Sequence, residues 1–322
     1  MVVGCGGIGS RHLQALKKIT IPIQIWAIDP NENSLNNTKK LLDEIPTNQN
    51  VEFIKFEKNL QDDNKNIDLC IIATSSDVRL NVLKDLLSKI SIKNIIFEKI
   101  LFQSEEQFKE AKNIIYKNKI NCWVNCFRRE EEYWNKVKKY FSGNTNMKLY
   151  YGKPGCNMGT NSIHIIDLAA WIFNDKIKHI DNSELEKIIF KARREGFIEF
   201  SGILKTMFEN GSICEYESVV GTPREEAEFE ITSDTVRLKI NEAKGEGVLY
   251  RKENNWSPEK QNFYIPHQSE KTQKIAEKIL INEKCELTSF EESVEIHRLL
   301  INCFLNHLNK ISDTKYEYCP IT

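Results

Sequence analysis

The tightest constraint on the fold is the run Val2-Val3-Gly4-Cys5-Gly6-Gly7-Ile8-Gly9-Ser10-Arg11-His12. A short apolar segment enters glycines spaced G-x-G-x-x-G, and a helical pattern leaves them with Leu13, Leu16 and Ile19 on one face. In a dinucleotide loop each glycine plays a separate part. Gly4 makes a tight turn, Gly6 lets a pyrophosphate approach the backbone, and Gly9 allows close packing of helix on sheet. The following helix start offers free N–H groups and the positive end of its dipole to phosphate. Asp29 ends the next apolar run, Ile23 to Ile28, at about the 20-residue distance expected of the acid that holds a ribose. Gly4, Gly6, Gly7, Ile8, Gly9 and Asp29 are therefore the first cofactor-binding candidates. The bland alternative is a glycine-rich turn that only joins strand to helix.

At 322 residues the chain exceeds one ordinary core and predicts two domains. A net charge of −1, with lysines dispersed among equal numbers of acids, argues against a nucleic-acid partner. No apolar run reaches membrane-spanning length and no signal-peptide pattern is present, so no membrane partner is expected. The nine cysteines are scattered without a C-x-x-C pair, which predicts reduced thiols and a cytoplasmic protein. No Cys and His spacing resembles a zinc finger, so no metal site is expected.

Before Gly4 stand only Met1, Val2 and Val3, which means either a stunted first strand or a trimmed start. A helix over about 35–45 and a strand over 51–56 follow. The continuous apolar run Asp68 to Thr74 reads as a buried parallel strand. Ser75 to Asp77 then form a turn and N-cap before a helix bearing Val78, Val82, Leu83 and Leu86. Ile95 to Phe97 is a strand ending in Glu98-Lys99; Ser104 to Gln107 is a capping box; Ile120 to Asn125 is a sixth strand. Strands alternating with helices predict a doubly wound parallel sheet, whose ligands lie beyond the strands' carboxyl ends. Thr74, Glu98, Lys99 and Asn125 thereby join the cofactor candidates.

The runs V-V-G-C-G-G-I-G-S-R-H, D-L-C-I-I-A-T-S-S and I-I-F-E-K resemble the Gfo/Idh/MocA oxidoreductases, the family of glucose–fructose oxidoreductase and inositol dehydrogenase. His12 matches the family's G-x-G-x-x-G-x-x-H, and Glu98-Lys99 its E-K-P, with Ile100 in place of proline. Arg79 stands where the family has a histidine, and Ser75 where it has a proline. The resemblance implies that Lys99 lies near the nicotinamide ribose and the substrate hydroxyl, where an ammonium holds the oxygen and stabilises developing negative charge.

Beyond Phe127-Arg128-Arg129 a helix carries Trp134, Val137 and Phe141, and Ser142-Gly143-Asn144 mark a change of pattern. Residues 147–151, 187–193, 202–208 and 212–218 read as strands, the last two joined by a type I′ turn at Asn210-Gly211. Residues 229–232 and 235–240 form another hairpin, and helices over about 269–281 and 289–308 close the chain, Ser289 and Glu292 making a second capping box. The second constellation is Gly159-Thr160-Asn161-Ser162-Ile163-His164-Ile165-Ile166-Asp167, helical from Ile163, with His164 and Asp167 on a shared face. His164 is either a histidine held by the local carboxylate or a general acid/base, since imidazole titrates near neutrality. The stretch resembles the family's H-x-x-D-L, whose histidine faces nicotinamide; the aspartate that the family commonly has four residues earlier is Thr160 here.

The fold expected is an α/β Rossmann domain, residues 1–127, plus an α+β domain, 128–322, with an open-faced, mostly antiparallel sheet for substrate binding and oligomerisation. The C-terminal helices either close the second domain or pack back on the first. The expected activity is hydride transfer between NAD and a secondary alcohol or ketone of a sugar, polyol or nucleotide sugar. Lys99 and His164 are the catalytic candidates, and Asn161, Thr160 and Arg129 position the substrate. NAD rather than NADP is expected, because Asp29 would repel a 2′-phosphate. The family resemblance implies a homodimer or homotetramer through the antiparallel sheet. Two rivals remain: an NAD-binding sensor or partner protein without turnover, suggested by Thr160, Ile100, Arg79 and Ser75, and NAD-assisted elimination or glycoside cleavage.

Overall fold

A computed structural model describes residues 1–60, 66–223 and 225–322. The first half runs β1 (Val2–Val3), α1 (Gly7–Leu16), β2 (Ile23–Ile28), α2 (Glu32–Asp43), β3 (Val51–Glu57), β4 (Asn66–Ile72), α3 (Ser76–Lys89), β5 (Ser91–Phe97), α4 (Glu105–Lys117) and β6 (Asn121–Val124). The second runs α5 (Glu132–Tyr140), β7 (Lys148–Gly152), α6 (Met158–Phe173), β8 (Ile177–Leu185), β9 (Phe190–Lys191), β10 (Ile198–Glu199), β11 (Gly202–Phe208) and β12 (Ile213–Ser218). It continues with β13 (Glu228–Thr232), β14 (Val236–Asn241), β15 (Glu246–Arg251), β16 (Glu259–Asn262), α7 (Gln268–Asn282), β17 (Thr288–Ser289) and α8 (Phe290–Ile311).

The chain forms two compact units. The first comprises residues 1–102, 106–125 and 266–291. Its sheet has the order β17-β6-β5-β4-β1-β2-β3. Strands β1 to β6 pair in parallel, and β17 adds an antiparallel edge on β6. The central strands are apolar on both faces because both are covered. Val2, Ile25, Leu69, Ile71 and Ile96 share a core with Leu13 and Leu16 of α1 and Ile275 and Ile279 of α7. Full burial of such a side chain contributes about 1.5–3 kcal/mol. Only Val2 and Val3 form the first strand, yet they hold the centre of the sheet by pairing with Ala27-Ile28 and Ile71-Ile72.

The second unit comprises residues 103–105, 126–265 and 292–322. Its eight strands lie in the order β16-β15-β14-β13-β7-β12-β11-β8. All pair antiparallel except β7 with β12, which run parallel. Alternation divides the faces. Leu149, Tyr151, Cys214, Tyr216, Phe229 and Leu238 are buried on the side where α6 packs on β12. Tyr150, Glu215, Glu217, Glu230 and Lys239 occupy the other face.

Three expectations need correction. Residues 187–193 do not form a strand of the large sheet: β9 pairs only with β10 in a separate two-stranded ribbon, while β8 supplies the sheet edge. The hairpin at Asn210-Gly211 is present, but not as a type I′ turn. Gly211 has φ +84° while Asn210 keeps a negative φ, and the Gly211 N–H donates to Phe208 O at 3.3 Å. This is a type I turn closed by a left-handed glycine. Helix α6 starts at Met158, so Thr160 and Asn161 are helical.

Candidate active site

In the first unit the glycine loop leaves β1 and becomes α1. Gly4 has φ +91°, and a Cβ there would lie 2.9 Å from the Thr74 backbone nitrogen. At Gly9 a Cβ would lie 1.7 Å from the Gly4 carbonyl oxygen, so the helix meets the strand only through a glycine. Around Gly6 and Gly7 there is open space, and Gly6, Gly7 and Ile8 are exposed. The first turn of α1 holds no acid and has no side-chain cap. Its leading N–H groups, which have no intrahelical partner, suit a pyrophosphate.

Asp29 is buried at the end of β2 and braces this loop. Its Oδ2 accepts the Cys5 N–H at 2.7 Å and its Oδ1 the Asn31 N–H at 2.8 Å. Each oxygen retains a lone pair for a ribose hydroxyl. Burial first, and then Asp29, pushes the Cys5 thiol up to about 12, so it stays a neutral packing group.

Glu98 and Asn125, expected against a cofactor, face inward. His12 Nε2 lies 2.9 Å from Glu98 Oε1 and its Nδ1 2.7 Å from the Thr272 hydroxyl. The Asn125 amide also donates to Glu98 Oε1. Burial raises the Glu98 carboxyl, but hydrogen bonds from His12 and Asn125 and the charges of His12 and Lys99 outweigh it. The group titrates below its ordinary value. The network ties α1, the ends of β5 and β6, and α7 together beside Lys99, which is half-buried. Arg79 is buried and donates to the carbonyls of Thr74, Ile100 and Leu101, the last at 3.0 Å. It thereby joins the end of β4 to the segment after Lys99. The Lys99–Ile100 peptide is cis.

In the second unit the site candidates lie at the start of α6. Between Met158 and Ala170 only Thr160, Asn161 and His164 keep partial exposure. Positions 160 and 164 are one turn apart on one face. The His164 ring lies 5.3 Å from that of Phe127. Asp167 is bound to Arg129. Its Oδ2 accepts Arg129 Nε at 2.9 Å and its Oδ1 accepts Nη2 at 2.8 Å, while Glu292 takes Nη1 and Nη2 at 2.9 and 2.8 Å. Arg129, expected to position substrate, is thus paired with two carboxylates of the protein. Its guanidinium is buried and committed to two carboxylates, and these overcome the burial cost and hold its pKa above the ordinary value. The Thr160 hydroxyl donates to Glu199 Oε1, a buried carboxylate on β10. The Asn161 amide donates to Asn157 O at 2.8 Å and to Cys156 Sγ at 3.4 Å.

No protein-family model and no curated protein matches the sequence. The fold does match solved structures. A biliverdin reductase from Synechocystis in complex with biliverdin and NADP+ has TM-score 0.71 and 12% identity, over 94% of this chain and 96% of that one. Levoglucosan dehydrogenase in complex with NADH has TM-score 0.70 and 12% identity, over 97% and 96%. An oxidoreductase from Agrobacterium radiobacter in complex with NAD+, L-tartaric acid and magnesium has TM-score 0.69 and 14% identity, over 96% of each chain. The fold is that of the Gfo/Idh/MocA dehydrogenases.

Within the Gfo/Idh/MocA fold this chain fills its departures with its own contacts. Arg79 does main-chain bracing, and Thr160 brings in Glu199. Sequence reasoning missed Glu199, Thr272 and Glu292 because each pairs across a long stretch of chain. Nothing around Glu199 in the sequence marks it, and only the S/T-x-x-E spacing drew Glu292 to notice, for another role.

Proposed function

We propose that the chain is an NAD-dependent oxidoreductase that moves a hydride between nicotinamide and a secondary alcohol or ketone of a sugar, polyol or nucleotide sugar. The observation that carries this reading is the glycine cradle: Gly9 admits no Cβ, Gly6 and Gly7 leave open space, and an uncapped helix start adjoins them. Bound NAD would supply the hydride acceptor. Gly6, Gly7, Ile8 and Gly9 would hold its pyrophosphate, Asp29 its ribose, and Thr74 would border it. Lys99 would hold the reacting oxygen, and His164 would exchange its proton. Glu98 and Asn125 would support the site from inside, through their bonds with each other and with His12. The neighbours solved with NADH and NAD+ include one named for a sugar derivative, which supports the sugar class. The biliverdin reductase neighbour carries NADP+, whereas Asp29 here disfavours a 2′-phosphate.

Titration of the purified protein should show tighter binding of NADH than of NADPH. With a sugar substrate, Lys99→Met and His164→Asn should each slow single-turnover hydride transfer by about 10²–10⁴-fold while leaving NADH binding intact. Equal NADPH binding would overturn the cofactor choice, and normal turnover in both variants would overturn the assigned chemistry. A cytoplasmic, symmetric oligomer joined through the open face of the eight-stranded sheet accords with this reading; no helix among the described residues is long and apolar enough to cross a membrane.

A further inference from the structure

Three positions at which this chain departs from the Gfo/Idh/MocA pattern meet at one guanidinium. Ser75 and Ile100 stand in place of prolines, and Arg79 in place of a histidine. Arg79 donates to the carbonyl of Thr74, which belongs to the peptide bond leading into Ser75. It also donates to the carbonyls of Ile100 and Leu101. One side chain therefore holds both segments that lack the proline.

The place matters because the sheet stops short of it. Strands β4 and β5 pair in parallel as far as Ile72 and Phe97, and the Glu98 N–H then donates to Ile72 O at 3.0 Å. Thr74 and Lys99 lie just past that rung, where the two strand ends part. Proline stiffens a chain by locking its own φ and by restricting the residue before it. The residues before positions 75 and 100 are Thr74 and Lys99, both site candidates. Arg79 restrains the same segments by another route. It is buried in the first turn of α3, and Ile100 and Leu101 are buried against it. A guanidinium is planar and presents its N–H donors in a fixed fork, so carbonyls from two segments are held in one geometry.

We propose that Arg79 is a positioning residue for Lys99. It replaces the stiffness of two prolines, and it fixes the main chain after β4 and after β5 so that the Lys99 ammonium keeps a set place beside the glycine cradle. The inference rests on the oxidoreductase reading and adds a residue to it. Ser75, Arg79 and Ile100 then compensate one another, and they cease to favour a sensor without turnover.

The test uses the full-length protein with NAD+ and three probes: glucose, levoglucosan and myo-inositol. With a probe that is turned over, Arg79→Met should slow single-turnover hydride transfer about 10- to 100-fold, as misplacing a reacting group does. Arg79→Lys keeps the charge without the fork and should fall between the two; it serves the same comparison if the methionine variant fails to fold. Ser75 has φ −66° and its side chain makes no cap bond, so it accepts a proline. Adding Ser75→Pro and Ile100→Pro to Arg79→Met should recover about tenfold of the rate. In a Lys99→Met background Arg79→Met should cost less than about twofold, because its effect runs through Lys99. A merely structural role would give the same loss in both backgrounds, and that result would overturn the proposal. NMR of the reductively ¹³C-methylated protein reads the place of Lys99 without turnover, its signal being the one missing from Lys99→Met. The signal should stand apart from those of exposed lysines and move towards them in Arg79→Met. An unmoved signal would overturn the proposal whatever the rates. A signal that moves, in a protein that passes no hydride to or from any probe, would uphold Arg79 as the positioning residue and count against the oxidoreductase reading alone.

Discussion

Gly6 and Gly9 belong to one motif but answer to different forces. Gly9 is set by the protein, since an added Cβ would penetrate the Gly4 carbonyl. Gly6 meets no protein atom within 4 Å of such a Cβ, so packing of the protein does not require its lack of a side chain. Gly9→Ala should therefore destabilise the fold by about 3 kcal/mol or more, because the clash is with backbone. Gly6→Ala should leave stability within about 0.5 kcal/mol, yet weaken NADH binding about tenfold or more by occupying the pyrophosphate's approach. Thermal melts and NADH fluorescence titrations read the two effects separately. Unchanged NADH affinity in Gly6→Ala would remove the loop from the cofactor site.

Between elements, buried polar pairs perform the joining. Arg129, leaving the sixth strand, clamps Asp167 of α6 and Glu292 of α8. Arg129→Met would strand the buried Asp167 carboxylate, at a cost of about 3–5 kcal/mol. Chemical denaturation should show that loss; an undiminished stability with a raised KM would instead restore a substrate role to Arg129. The Glu98 network carries a pH signature. Its carboxyl titrates lower in the folded chain than unfolded, so its contribution is complete above the ordinary carboxylate value of about 4.3 and fades as pH falls through the folded value. Glu98→Gln should cost about 1–3 kcal/mol near neutrality. The gap from wild type should narrow in acid, below the ordinary carboxylate range. A gap of constant size from pH 7 to pH 3 would show that the charge of Glu98 is not what stabilises.

At the scale of the whole molecule, one sheet is covered on both faces and the other on one. The open face of the eight-stranded sheet mixes Tyr150 with charged pairs such as Arg237–Glu230 and Lys205–Glu184. A half-wet antiparallel sheet is stable alone, but isologous pairing of this face would close a symmetric dimer. Light scattering across a wide concentration range should return a multiple of the monomer mass, and Tyr150→Arg should shift it downward. A monomer mass throughout would leave this face to solvent.

The sequence by itself determined the parts whose signal is local. Glycine spacing, continuous apolar runs and their alternation with helices are legible along the chain, because a parallel strand buried on both faces must be apolar residue by residue. Asp29, Thr74 and Lys99 were legible as candidates because the chain direction of parallel strands puts their carboxyl ends together. The large antiparallel sheet was legible through its two-residue period, though not the turn type at 209–211, which depends on backbone torsions that Asn-Gly permits in more than one form. Only the tertiary structure decided partnership. Sequence periodicity reports whether a side chain is buried, not which distant group meets it. So it could not tell that Arg129 is spent on Asp167 and Glu292, that His12 spans Glu98 and Thr272, or that the carboxylate beside Thr160 comes from Glu199. Those pairs join residues far apart in the chain, and close packing brings them within hydrogen-bond reach.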